Sequence, residues 1–495
     1  MGESGIEAFI NKDPISSTHF KTNGIFLVAL YIFEVSLVLL VLGLYRLDTE
    51  PSRALFLTSR RGDFCMVAIG ISLVSAVLII YQSRNSQASR RELQLTAVMN
   101  VITVLLLTGT AEVVLRVVAI KTPTGMLKVG NLLLAPRNWP EFAAHYLLTR
   151  PPDLTSSRDP MLDSPSQNYL ICDDLLGWTN GPNRRSHDGL YFSSIEGLRS
   201  PRANMSLRNR SVTHRIALIG DSFTFGDEVS YEASWGYQLE RKLGPDVQVL
   251  NFGVSGYGVD QAYLRYQRDV RPWHPEIVIF GFVSDDIFRD GRVYEFLSWP
   301  EWLVPFAKPR LILKNHHLEL LNVPLSRPEE LASKRSLRGL PFIDFEANYD
   351  STEWDRPDWR PFYHSYLFRF LISYDPPSEK PRREEDTSAA VEELSVEIFR
   401  SFVRLAQEAE SIPIIVFLPD RHSLKHSSPC VTILQKAGVQ FTDTTPCLRQ
   451  ANPPLTFERG GHYSAESNAA VAECLYDVVR TQLDRVHAPL TQDIK

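Results

Sequence analysis

Three long apolar runs fill the first 120 residues, and they restrict what this chain can fold into more than any other feature. They read GIFLVALYIFEVSLVLLVLGLY from Gly24, FCMVAIGISLVSAVLIIY from Phe64 and AVMNVITVLLLTGTAEVVLRVVAI from Ala97. A helix needs about 20 apolar residues to cross the hydrocarbon of a bilayer. Each run is close to that length, and short polar loops separate them. The reading is a membrane region over residues 1–120, with spans over about 24–45, 64–81 and 97–120. Buried helices of a soluble domain are the alternative. Glu34 in the first run, and Glu112 and Arg116 in the third, are costly at mid-membrane. Glu112 and Arg116 stand four apart on one helical face, where they can pair. Arg116 is also near enough to the helix end to snorkel.

The amino terminus does not read as a cleavable signal peptide, because the first apolar run begins late and no small-residue cleavage site follows it. MGESGI lacks the Ser or Thr that a myristoylation signal needs. Basic residues flank the spans on both sides: Arg46, Arg53, Arg60 and Arg61 in one loop, and Arg84, Arg90 and Arg91 in the next. With Lys12 and Lys21 in the N-terminal tail the positive-inside rule is nearly balanced, and Lys121 and Lys128 after the third span lean slightly toward a cytoplasmic C-terminal domain. The net charge of −6 gives no electrostatic case for nucleic acid as a partner. Of five cysteines, Cys65 lies in a span, and Cys430 and Cys447 are close enough in sequence for a disulfide in an oxidising compartment, with two unrelated thiols as the equal alternative. No Cys or His spacing resembles a metal site, and no cofactor is expected.

Residues 121–210 read as a connector with Pro, Gly and Asn turns such as GWTNGPN at Gly177. Beyond it, strand and helix patterns alternate. RIALIG at Arg215, VQVLNFG at Val247 and EIVIFGFV at Glu276 are short apolar strands, separated by helical spacing in SWGYQLERKLG and VDQAYLRYQRDV. Such alternation implies parallel strands joined by right-handed crossovers. An insertion over about 291–386 follows. It is rich in Trp, Pro and charge and ends near DPPSEKPRREED, an exposed, mobile loop by composition. A long helix from Ala389, a fourth strand IPIIVFLP, a fifth VQFTDTT and a last helix near Ser464 complete the pattern. The expectation is an α/β domain over residues 211–485: three layers around a doubly wound, parallel five-stranded sheet.

In an open parallel sheet, ligands bind beyond the carboxyl ends of the strands. Those ends carry GDS, NFGVSGYG and GFVSDD, and GGHYS lies between the last strand and the last helix. Four polar segments thus converge on one crevice. The pattern resembles the SGNH (GDSL) hydrolase family over about 215–290 and 412–480. The lead-in LLGWTNGPN…EGLR looks like that of membrane-anchored bacterial members. The resemblance implies a nucleophile at Ser222, a backbone N–H at Gly256 for the oxyanion, and a base at His462. A serine hydroxyl needs such a base, and donors aimed at the developing oxyanion are worth about 10²–10³-fold each.

Two positions depart from the family pattern. Its third block reads Gly-x-Asn-Asp, and here Asp285 stands where the Asn would donate a hydrogen bond. An ionised carboxylate cannot donate, so Asp285 would have to be protonated, or Ser284 would donate instead. Three residues before the histidine, where the family has Asp, this chain has Arg459. Glu458 is the nearest carboxylate able to orient His462. Asp221 reads as a residue that bonds its own turn. FLSWPEWLVPF at Phe296 reads as packing of the insertion, with a lid or a membrane-interface patch as alternatives.

The expected function is a membrane-anchored serine esterase or O-acyltransferase working through an acyl-enzyme on an ester-bearing envelope glycan or lipid. The alternative is an SGNH-fold module that binds glycan or lipid without turnover. The resemblance also implies a multi-pass protein of a bacterial inner membrane, with its C-terminal domain extracytoplasmic.

Overall fold

A computed structural model of the chain describes residues 17–47, 60–85, 89–122, 125–144, 169–186, 188–298, 306–347, 349, 354, 357–374 and 388–487. The chain divides into two compact units, Met1–Trp139 with Asp350–Lys380, and Pro140–Tyr349 with Pro381–Lys495. The DPPSEKPRREED stretch lies outside the described residues.

The first unit is built on three helices, α1 (Ser17–Leu47), α2 (Arg60–Asn85) and α3 (Arg90–Val118). Each contains a stretch long and apolar enough to cross a membrane: Gly24–Leu44, Cys65–Arg84 and Arg90–Val118. The third helix starts earlier than its apolar run because Ser89 and Glu92 form a capping box that closes its first turn. The polar residues among the apolar ones find one another. Ser36 of α1 meets Ser72 of α2 at 2.7 Å, and the Asn100 amide donates to both oxygens of Glu34 at 2.9 and 3.0 Å. Glu112 and Arg116 pair at 2.7 Å, as their spacing suggests.

The second unit contains a parallel sheet of five strands: β1 (His214–Ile219), β2 (Val247–Asn251), β3 (Ile277–Phe282), β4 (Ile412–Phe417) and β5 (Thr442–Asp443). Their spatial order is β5-β4-β3-β1-β2, and every pairing is parallel. Side chains alternate across the sheet. Ala217 and Ile219 point into one buried cluster, with Tyr263, Phe399 and Phe402. Ile216 and Leu218 point into the other, with Trp235, Leu239, Val471 and Leu475. Both faces are therefore covered, which explains why the strands are continuously apolar. The fold is α/β, three-layered and doubly wound. The strand order reverses between β1 and β3, which opens a crevice at their carboxyl ends.

The segment 169–210 forms two hairpins, Leu170–Asp173 with Gly177–Asn180 and Phe192–Ser193 with Arg199–Ser200. They belong to the same unit as the sheet. The insertion is divided. Its residues up to 349 belong to the sheet unit and include the hairpin Arg310–Lys314 with His317–Leu321. Phe296 and Leu297 are buried there, whereas residues 299–305 are outside the described set. Residues 350–380 cluster with the N-terminal helices instead.

Cys430 and Cys447, whose pairing the sequence leaves open, are not bonded to each other. The disulfide joins Cys447 to Cys474, with Cα atoms 5.9 Å apart, and Cys430 is free and buried. Cys447 sits on the short helix Thr445–Arg449, which packs on the last helix, where Cys474 lies. Cys430 instead opens the helix Pro429–Lys436 and sits 3.9 Å from the Ser284 carbonyl.

Candidate active site

The nucleophile candidate stands where β1 gives way to a single helical turn, α4 (Ser222–Phe225). Gly220 ends the strand with φ at +149°. A Cβ there would lie 2.3 Å from both the Gly281 carbonyl and Thr224 Oγ1, so only glycine lets the tips of β1 and β3 approach. Asp221 caps α4, its Oδ1 accepting from the amides of Phe223 at 3.0 Å and Thr224 at 3.4 Å. Ser222 opens the helix and is 5% exposed. Its hydroxyl donates to Asp221 Oδ2 at 3.4 Å. Burial pushes the Asp221 carboxyl up, against the pull of Arg289 and His462.

The oxyanion candidates are two amides. Ser222, as the first residue of its helix, has no intrahelical acceptor for its N–H. Gly256 is buried with φ at +80°. Among the described residues neither amide has an acceptor. A buried N–H without a partner is rare, and two at a strand-end crevice are candidate donors for a developing negative charge. The loop that carries Gly256 is held on three sides. Val254 N–H donates to the Gly220 carbonyl at 3.1 Å. Trp178 Nε1 donates to the Ser255 carbonyl at 2.9 Å, and Asn180 Nδ2 to that of Gly253 at 3.1 Å. The Tyr257 hydroxyl donates back to the Trp178 carbonyl at 2.5 Å. The stretch read as a connector is thus the support of the second block.

His462 is oriented by a carboxylate that the sequence reading did not name. Its Nδ1 lies 2.8 Å from Glu228 Oε2, and the amides of Gly460 (2.6 Å) and His462 (3.1 Å) donate to the same carboxylate. Burial would raise the Glu228 carboxyl, but these amides and the His462 ring outweigh it and hold the group below its ordinary value. The carboxylate at Nδ1 is therefore that of Glu228, not Glu458. Glu458 contributes its backbone, its amide donating to the His462 carbonyl at 2.8 Å. With Nδ1 engaged, Nε2 is the free nitrogen. It stands 4.0 Å from Asp227 Oδ2, and the Phe223 ring packs 5.1 Å from the imidazole. No hydrogen bond joins Ser222 to His462. Catalytic hydrogen bonds often tighten only around substrate.

Glu228 adopts a left-handed backbone, φ +67°, a conformation costly for a residue with a Cβ. The surroundings enforce it. Its amide donates to the Tyr191 hydroxyl at 2.8 Å. The next carbonyl, of Val229, accepts from the buried Arg199 at 2.6 Å. Arg199 is stacked over Tyr191 and Phe225 at 4.7 and 4.3 Å. Asp227, beside it, accepts from the Ser255 hydroxyl at 2.7 Å and is pushed up by burial.

The third block places Asp285 and Asp286 in the first turn of the helix Ser284–Arg289. Asp285 Oδ2 lies 3.0 Å from Arg289. Paired in this way it accepts, so it is no oxyanion donor here. Ser284 Oγ is 2.8 Å from Ser428 Oγ. Asp286 accepts from the Val283 amide at 3.0 Å and from Arg289 at 2.7 Å. Burial, reinforced by Asp221, pushes the Asp286 carboxyl well up. Arg289 also donates to the Tyr257 carbonyl at 3.1 Å, and so ties the third block to the second. Among the described residues no cluster of His, Cys, Asp and Glu has the geometry of a metal site.

No protein-family model and no curated protein matches the chain. Several solved structures resemble it. An esterase from Pseudoalteromonas sp. is 11% identical with a TM-score of 0.28, over 55% of this chain and 100% of its own. A member of the lipolytic protein G-D-S-L family from Veillonella parvula is 11% identical with a TM-score of 0.28, over 54% and 99%. An acetylxylan esterase from Geobacillus stearothermophilus is 13% identical with a TM-score of 0.29, over 54% and 94%. At such identities and scores the likeness adds no argument about chemistry. The blocks that resemble those of the SGNH (GDSL) hydrolases stand at the strand ends of a doubly wound parallel sheet.

Proposed function

We propose that the chain is a membrane-anchored serine hydrolase of the SGNH type that cleaves or transfers an oxygen-linked acyl group. The observation that carries the reading is the imidazole of His462, fixed at Nδ1 by Glu228 and packed 5.1 Å from the ring of Phe223, the residue next to Ser222. Ser222 Oγ attacks the ester carbonyl and its proton passes to Nε2. The amides of Ser222 and Gly256 receive the oxyanion. The leaving alkoxide takes the proton from Nε2, and an acyl-serine remains. Water or a second hydroxyl resolves it, with His462 acting as base again. Asp285 acts through Arg289, keeping the guanidinium against the second block. Glu228 and Asp227 flank the imidazolium of the transition state.

Substrates of this chemistry include acetyl esters on an envelope glycan and esters of a lipid. The three apolar helices support residence in a membrane. The disulfide between Cys447 and Cys474 supports an oxidising, extracytoplasmic location for the sheet unit, with the N-terminus on the cytoplasmic side. A second reading, a glycan- or lipid-binding module without turnover, is favoured by the Ser222 hydroxyl bonding Asp221 rather than His462. A fluorophosphonate probe separates the two. The first reading expects covalent labelling of Ser222 that disappears in Ser222→Ala and weakens in His462→Ala. It also expects p-nitrophenyl acetate turnover above that of Ser222→Ala. Equal turnover by wild type and Ser222→Ala, with no labelling, leaves the binding module.

A further inference from the structure

The part of the insertion that clusters with the membrane helices has an unusual attachment. Residues Tyr366–Tyr374 form a short helix, preceded by the 3₁₀ segment Pro357–His364. Its N-terminus is capped by a residue of α3. The Glu112 carboxylate accepts from the amides of Tyr366 (2.9 Å) and Leu367 (2.8 Å) and from the Ser365 hydroxyl (2.9 Å). Arg116 donates to the His364 carbonyl at 2.5 Å, and its guanidinium lies 4.6 Å over the Tyr366 ring. The charged pair in the third span is thus satisfied by a helix start, where the dipole favours an anion.

The level of this attachment matters. Glu112 is six residues before the helix ends at Val118, or about 9 Å down the axis. Around it α3 stays apolar and open: Val113, Val114 and Val117 are exposed, Val117 by 79%. Side chains that face lipid on α3 therefore share a level with the docked segment. The segment in turn presents Phe362, 48% exposed, and Leu371, 37% exposed, beside stacked Trp359 and Phe368. Aromatic and apolar groups next to Arg and His at the mouth of a span are what the boundary between headgroups and acyl chains accepts.

We propose that residues 357–374 lie in the bilayer interface, with Phe362 and Leu371 in contact with lipid, as a membrane-seated extension of the third span. This rests on the reading of α1–α3 as membrane spans. The test uses the full chain in phosphatidylcholine nanodiscs, with Cys65, Cys172 and Cys430 replaced by alanine. A nitroxide is placed at Leu371→Cys, Phe362→Cys or, as a control within the span, Leu106→Cys. Collisions with oxygen, which partitions into lipid, are compared with those of a water-soluble nickel chelate. The expected result is an oxygen preference at 371 and 362, smaller than at 106. A nickel preference at 371 and 362 with an oxygen preference at 106 overturns the inference alone. Protection from both reagents at 371 and 362 also overturns it, since a second copy or another protein then covers the face. A nickel preference at all three sites overturns the membrane reading itself. In the chain with its cysteines intact, Trp359→Phe should reduce quenching of tryptophan emission by lipids brominated near the headgroup. Unchanged quenching counts against the inference.

Discussion

At residue scale, Glu228 stands against His462 where the proposed mechanism needs the carboxylate that the family pattern puts three positions before the histidine. Its carboxylate binds the imidazole and two amides of the 460–462 segment. An amide side chain keeps the shape but turns an N–H toward one of those donors. Glu228→Gln should therefore lower kcat by about 10²–10⁴-fold, with KM little changed, because the imidazolium forms only in the transition state. Glu228→Asp should recover little, being one methylene short. Steady-state kinetics on a soluble ester checks both, and wild-type kcat in Glu228→Gln would remove the residue from the machinery. The pH sign follows from the carboxyl lying below its ordinary value. What Glu228 contributes to the fold is present at neutral pH and is lost as pH drops through that depressed value. Thermal unfolding of wild type should therefore be more acid-sensitive than that of Glu228→Gln in that range.

Ser222, Gly256 and His462 are candidates the sequence offers because each stands in a short block beside the sheet's carboxyl edge, where local pattern and sheet topology agree. Glu228 is not, although it is only six residues beyond Ser222. Its partner is 234 positions away, and a Gly-Asp-Glu stretch after a helical turn reads as solvated charge. The one available signal was indirect: a histidine block lacking its own aspartate must borrow a carboxylate, and Asp227 and Glu228 follow the nucleophile directly.

Among elements, the hairpins of residues 169–210 carry more of the site than their composition suggests. Trp178 and Asn180 hold the carbonyls on either side of Val254, and Tyr191 and Arg199 hold the Glu228 turn. No candidate site residue is on these hairpins, yet the loops that carry Gly256 and Glu228 hang from them. Trp178→Phe removes one donor and leaves the buried ring volume largely filled. A lost hydrogen bond of this kind is worth about 0.5–1.5 kcal/mol, so kcat/KM should fall by roughly 2–12-fold. The loss should appear in kcat, as expected of a residue that positions the Gly256 amide. A change confined to KM would show instead that the hairpin contacts substrate. The hairpins read as a connector because they are short and turn-rich. Their meaning lies in hydrogen bonds to residues 30 to 80 positions away, which no local pattern encodes. The sheet itself was legible for the opposite reason. Its strands are buried on both faces, so they appear as uninterrupted apolar runs between helical repeats.

For the whole molecule, the proposed extracytoplasmic side of the sheet unit rests on the cysteines, because the balance of basic loop residues does not choose a side. Cys447 and Cys474 are 27 residues apart in sequence. Closing a loop of that length removes about 3.5 kcal/mol of unfolded-chain entropy in the polymer model, but only where the bond persists. Cys474 escaped the sequence reading because it lies inside an amphipathic helix, where a half-buried cysteine looks like ordinary packing. With three spans, a sheet unit on the oxidising side requires the N-terminus on the other. Arg241→Cys, at an exposed position of the helix Trp235–Leu243, should therefore react with a membrane-impermeant maleimide in spheroplasts before lysis. Cys474→Ser should lower the unfolding midpoint under non-reducing conditions and leave it unchanged, relative to wild type, once both are reduced. Labelling of Arg241→Cys only after lysis would place the domain in the cytoplasm. The disulfide would then lose its oxidising compartment, and substrates of the cell envelope would be out of the enzyme's reach.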